Sequence, residues 1–403
     1  YYRVAVVVKK RLICLILLCF TLVLAFFGGD SASATEPTNG ESDESVSIEE
    51  MTDELDLSEL QRLFSELDEN EQSLFGGDIA GYIKAAASGE SGMGFESFFG
   101  YVLSAFGASV KDVLPLVASV AGIAAAVALI CGIKGNFSGS STEKAVSIAG
   151  VALCSVTVLL SAFSAIKAVG ELVGSLRAQC EAVFPILFTL MTALGASGSI
   201  AVYQPAVAVL AFSVTELITV VVLPLIIASL VLGVISGVTS EEGGTESLSK
   251  VTASAAKWLM YTSFFLFTAF LSVKGATAAV FDNVSVRTAK FALSRYVPVI
   301  GGYLSEGFNT ILASVALIKN AVGGTAILVM IVTALPVLMK TIVTSLSLKL
   351  AEAVVGTFSN GKIKKVLSNV TGAVNALIAV VAGTAFLYFI FLMLIIVSGN
   401  LVL

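Results

Sequence analysis

From about residue 98 to its end the chain is a succession of apolar runs, and nothing else in the sequence limits its fold as strongly. A helix needs about 20 predominantly apolar residues to cross roughly 30 Å of hydrocarbon. Eight stretches meet that need: 113–133, 145–166, 182–200, 205–236, 258–280, 297–318, 325–343 and 373–397. The composition agrees, with 57% apolar and 13% charged residues, where soluble domains run at roughly half and a quarter. The expected fold class is all-α: a polytopic helical membrane protein with about eight transmembrane helices, within a range of six to nine. An ordinary soluble enzyme and a disordered chain are excluded. Two stretches strain the count. The run 205–236 is too long for one straight span, and Glu216 and Pro224 are where it would break, because proline removes an intrahelical hydrogen bond. The run 297–318 holds Glu306 and Gly301-Gly302, and suits a re-entrant helix as well as a span.

The N-terminus has the layout of a secretory signal. Lys9-Lys10-Arg11 precedes an apolar stretch from Leu12 to Phe27, and Ala32-Ser33-Ala34 puts small residues at the cleavage positions. Cleavage is expected before Thr35, making 1–34 a signal peptide. An uncleaved anchor is the alternative, and 16 residues are short for a span.

Charge divides the remainder. Residues 35–97 carry 17 acids against Arg62 and Lys84, while 98–403 carry 17 bases against 11 acids. An acidic extracytoplasmic segment, 35–97, therefore precedes a mildly basic membrane domain, 98–403. Within the segment, 35–47 reads as a flexible leader. Leu57, Leu60, Phe64 and Leu67 then recur at helical spacing, with Asp56 or Ser58 able to cap the start and Gly76-Gly77 to end the run. Phe95, Phe98, Phe99, Val102, Leu103 and Phe106 form a second amphipathic stretch suited to the membrane interface. The first helix either binds a partner or folds back on the second. Folding back is favoured, because 63 residues bury little core alone.

Threading the eight spans from outside puts three basic loops in the cytoplasm: Lys134 with Lys144, Arg287 with Lys290 and Arg295, and Lys349 with Lys362, Lys364 and Lys365. The neutral loop 167–181 and the acidic loop 237–257, with Glu241, Glu242 and Glu246, fall outside, as the positive-inside rule asks. Keeping the last two basic loops on one side requires a hairpin turning at 319–324.

Charges at membrane depth are costly, so they face a cavity or a partner. The candidate intramembrane or conduit residues are Glu216, Lys274, Glu306 and Lys319. Lys340 sits near the end of its span and can snorkel. Glu216 and Lys274 lie deeper, and could pair, line a conduit or meet another subunit. For Gly195, Gly198, Gly301, Gly302, Gly323 and Gly324, close helix packing is the favoured use over irregular backbone. The chain has no histidine, so histidine metal sites and Ser-His-Asp or Cys-His nucleophile systems are absent. No GxxxxGK[ST] loop is present for a nucleotide and no basic aromatic face for nucleic acid. No catalytic residue, metal site or cofactor is expected. Cys131, Cys154 and Cys180 read as small packing residues.

Several pieces, in order and spacing, resemble the stage III sporulation protein AE family of spore-forming Firmicutes. They are Tyr203-Gln204-Pro205, Lys257-Trp258, Ser272-Val273-Lys274-Gly275, Arg287-Thr288-Ala289-Lys290-Phe291, Pro298-Val299-Ile300-Gly301, Lys319-Asn320-Ala321-Val322-Gly323 and Ser398-Gly399-Asn400-Leu401. The resemblance implies a non-enzymatic, multi-pass subunit in the mother-cell membrane around the forespore. It implies partnership with the other stage III A proteins and a forespore membrane protein in a channel or secretion-like complex required for forespore development. An ATPase of the same group would supply energy. A stand-alone secondary transporter or permease, coupled through Glu216 and Lys274, is the alternative. The chain shows no internal repeat to favour it.

Overall fold

The computed structural model describes residues 51–89, 93–132, 140–238, 244–296, 301–358 and 361–398. The signal residues Ala32, Ala34 and Thr35 lie outside them. Every regular element among the described residues is helical. Three short helices come first: α1 (Ser58–Ser65), α2 (Glu69–Ser73) and α3 (Ile79–Ala87). Then follow α4 (Phe95–Gly132), α5 (Ser140–Ala193), α6 (Ser197–Ala208), two π-helical segments (Val209–Val214 and Leu217–Val222), α7 (Leu223–Val238), α8 (Gly244–Tyr296), α9 (Gly301–Phe358) and α10 (Gly361–Val397).

Five stretches are long and apolar enough to cross a membrane: Glu96–Val127, Ala145–Ala193, Leu217–Gly237, Ile311–Thr357 and Gly361–Val397. The protein is thus a membrane protein with five candidate spans among the described residues, where the sequence led us to expect about eight. Two of the three missing spans come from helices that do not stop where charges or glycines appear, and the third, 258–280, falls in α8, which is not among the five. The expected loop 167–181 is the middle of α5. Val169, Leu172, Val173, Leu176 and Cys180 bury one face there, while Lys167–Glu171 and Arg177–Glu181 pair at i,i+4 on the surface. The expected hairpin at 319–324 is continuous helix in α9. Gly323 is there because α10 comes too close for a side chain: a Cβ would stand 2.4 Å from Ile396 Cγ1. Gly195, by contrast, serves a turn. Its φ is +74°, and the Ala196 and Gly195 N–H groups close back on the Met191 and Thr192 carbonyls that end α5.

Pair contacts set the directions. Lys319 meets Ser398 while Ser345 bonds Asn375 at 2.8 Å, so α9 and α10 are antiparallel. Tyr101 meets Val332 and Asp112 meets Lys340, so α4 and α9 are parallel. Asn369 bonds the Gly233 carbonyl and Ser249 that of Ser229, so α7 runs against both α10 and α8. The long rods alternate up and down between two ends. One end gathers the last residues of α4, α7 and α9 and the first residues of α5, α8 and α10. The other gathers the α5–α6 turn and Ser398.

This arrangement overturns part of the threading. Glu246, expected outside, pairs with Lys365, expected inside, at 2.6 Å. Lys250 and Lys365 together hold the Glu246 carboxyl down to about 2. The 237–257 and 349–365 regions therefore share one end of the bundle. From that end α8 runs unbroken to Tyr296, which carries 287–295 away from it. The charge rule applies to loops, and these bases sit on helices.

The acidic segment packs as a small unit against α5 and α9. Leu57, Leu60, Phe64, Phe75 and Ile83 form its core, with Phe64, Phe75 and Tyr82 in successive edge-to-face contacts. Asp56 bonds the Ser58 backbone N–H and hydroxyl at the start of α1. Asp78 caps α3 through Ala80 and Gly81. The segment thus folds back, but chiefly onto α5 and α9 and not, as expected, onto the second amphipathic stretch.

Candidate functional site

The C-terminal half of α10 is where residues distant in sequence converge. Lys319 is fully buried, and its Nζ donates to the Ser398 carbonyl just past the end of α10. A helix end leaves carbonyls without intrahelical donors and carries partial negative charge. An ammonium there is a cap supplied by a neighbouring helix. Among the described residues no carboxylate lies within ion-pair distance of it. The Ser398 hydroxyl in turn donates to Tyr203 Oη at 3.0 Å. Three of the short pieces singled out by the resemblance, at 203, 319 and 398, therefore form one hydrogen-bonded chain.

Aromatic packing seals this cluster. Phe391 lies two turns before Ser398, and its ring sits 5.2 Å from Phe184, 6.1 Å from Tyr203 and 5.9 Å from Phe267, all edge-on. One turn earlier, Tyr388 and Thr215 share a buried hydrogen bond of 2.7 Å. Thr215 and Glu216 separate the two π-helical segments. The second segment shows the wider turn directly, since the Leu223 N–H reaches the Ile218 carbonyl five residues back. Pro224 follows at once and has no N–H to donate. The run 205–236 is accordingly widened, not broken, at the two residues the sequence marked.

Of the two candidate residues whose side chains are described, Lys319 enters the buried cluster and Glu216 does not. Glu216 is exposed and lies within electrostatic range of Arg177, which is paired with Glu181 at 2.8 Å. Lys274 and Glu306 fall on α8 and α9, but their side chains lie outside the described residues. Lys340 is half-exposed, 4.0 Å from Asp112. Tyr388, Thr215 and the Arg177–Glu181 pair were not foreseen. A buried tyrosine needs a partner for its hydroxyl, which is the one signal that could have marked Tyr388. Among the described residues no group of three or more Cys, Asp or Glu side chains is arranged to hold a metal ion.

A family model described as Stage III sporulation protein AE matches residues 78–399. The protein named Stage III sporulation protein AE in Bacillus subtilis (strain 168) is 30% identical over 264 residues, covering 65% of this chain and 65% of the relative. The alignment thus spans just under two thirds of that relative's length. No solved structure matches. The matched region runs from the cap of α3 to the residue after Ser398 and takes in the whole converging cluster, so the chain belongs to the stage III sporulation protein AE family.

Proposed function

We propose that this chain is a non-enzymatic integral membrane subunit of a sporulation channel or secretion-like complex that links mother cell and forespore and is required for forespore development. Membership in the AE family across 78–399 carries the reading. Its expected partners are the other stage III A proteins, a protein of the forespore membrane, and the lipid bilayer of the mother-cell membrane.

The distribution of exposed side chains supports a bilayer position. Leu129 and Ile130 of α4, Leu153, Val156 and Leu160 of α5, and Leu346 and Leu350 of α9 face outward towards the end where α4 and α9 finish and α5 begins. In α4, Lys111 and Asp112 are exposed 18 to 19 residues from Ile130, roughly 28 Å at 1.5 Å per residue. That is one hydrocarbon thickness. Beyond it α5 exposes Glu181, Thr189 and Thr192, and the α6–α7 stretch exposes Gln204, Ser213 and Glu216. We place Lys349, Lys362, Lys364 and Lys365 on the cytoplasmic side. The acidic segment and the Ser398 end then project into the space facing the forespore. Glu216, Lys274 and Glu306 remain candidates for lining a conduit, and Lys319 for fixing its walls.

Affinity purification of tagged protein from sporulating cells, followed by mass spectrometry, tests the assignment. Co-recovery of the other stage III A proteins is expected. A chain recovered alone that drives solute flux in liposomes would instead make it a transporter.

A further inference from the structure

Val332 stands four residues before Pro336 in α9. Proline has no N–H, so the Val332 carbonyl lacks its helical donor. Tyr101 of α4 supplies one: its hydroxyl is 3.0 Å from the Val332 oxygen. The same hydroxyl is 2.9 Å from Glu71 Oε1 of α2. A phenol carries one hydrogen, whereas a carbonyl and an ionised carboxylate only accept. One hydrogen shared between two acceptors makes two weakened bonds, whereas two full hydrogen bonds among these three groups need a second hydrogen, which the carboxyl can supply. Glu71 Oε2 already accepts from the Asp68 N–H at 3.2 Å, which leaves Oε1 to carry it. Glu71 Oε1–H then donates to Tyr101, and Tyr101 donates to Val332.

We propose that Glu71 and Tyr101 form a proton-binding latch that seats the acidic segment on the helical bundle while Glu71 is protonated and releases it when the proton leaves.

The surroundings favour the neutral form. A cavity of about 520 Å³ beside Glu71 carries Glu66 and Asp68 from the acidic segment and Glu171 from α5. Glu66 is engaged by Arg62 and Glu171 by Lys167. On α4 the charged residues are Glu96, five residues before Tyr101 and exposed, and Lys111 and Asp112, about three turns after it, with Asp112 beside Lys340 of α9. Next to Val332, α9 presents the uncharged Thr333. Among the described residues no base reaches Glu71 itself. Burial pushes its carboxyl above the usual range, against the pull of the Asp68 N–H. A carboxyl raised on docking binds its proton more tightly in the docked state. Docking is thus strongest at low pH and weakens as pH rises through the docked value.

The test uses full-length protein in lipid nanodiscs, with native cysteines replaced and spin labels at Asn70→Cys and Leu346→Cys. Electron–electron distance distributions are recorded at about pH 5 and about pH 9. We expect a narrow distribution that broadens at the higher pH in the wild-type background. Glu71→Gln, whose amide donates to Tyr101 without titrating, keeps it narrow at both. Glu66→Gln broadens like wild type. A wild-type distribution unchanged by pH, a Glu71→Gln variant that broadens in step, or a Glu66→Gln variant that stays narrow would each overturn the latch. The last would make general carboxylate repulsion the cause.

Discussion

The acidic segment and the cluster at the end of α10 both join distant parts of the chain through a few polar side chains, but they do so in different solvents. Around α1 the pairs Arg62–Glu59 and Arg62–Glu66 are more than half exposed, and water competes for every charge. Such pairs contribute little, because water and salt screen them. Around Ser398 the lysine is wholly buried and the rings of Phe184, Tyr203, Phe267 and Phe391 exclude water. There an unmet polar atom costs its full desolvation, about 1–3 kcal/mol. The lesson is that position, more than the number of bonds, decides which junction holds.

Three substitutions probe that contrast. The largest effect should come from Gly323→Leu, which drives a side chain into Ile396 where α9 and α10 touch. Overpacking of this kind costs about 3 kcal/mol or more, and the thermal midpoint of purified protein should fall by several degrees. A melt unchanged within error would mean that the helices are free to move apart there. Tyr203→Phe should cost about 1 kcal/mol by removing the acceptor of the Ser398 hydroxyl. The same melting assay applies, and Tyr203→Phe combined with Ser398→Ala should cost less than the two changes summed. The smallest effect belongs to Arg62→Ala, a shift of the melt close to its error and shrinking further in high salt. A loss as large as that of Tyr203→Phe would erase the distinction between the two regions.

Much of this was legible in the residues. The spacing of Leu57, Leu60, Phe64 and Leu67 marks the buried side of the acidic segment, and α1 buries Leu60 and Phe64 as expected. Glu216 and Pro224 mark the wide-turned stretch. The number and side of the crossings were not legible, for one physical reason. Charges and glycines were read as interruptions, yet a helix carries i,i+4 ion pairs on its wet face and glycines on its packed face without stopping. In 167–181 the apolar positions keep helical spacing beneath the charges. In 319–324 Gly323 belongs to a contact with Ile396, more than 70 residues away in sequence, and no local pattern encodes that neighbour. Lys319 was marked as a charge at depth, but its partner is a backbone carbonyl, which every residue carries.

The unbroken run of α9 has a mechanical consequence. From Lys319 to Phe358 the backbone is one rod about 60 Å long, at 1.5 Å per residue. A helix resists stretch along its axis because each turn is closed by its own hydrogen bonds, so a push at Phe358 arrives at Lys319 as nearly the same displacement. The weakest point along that length is Pro336, where one rung of the ladder is missing. Tyr101 splints that joint from the side by engaging Val332. With the splint in place the rod behaves as a stiff lever between the two ends of the protein; without it, the same push would bend the rod at Pro336 and be absorbed there.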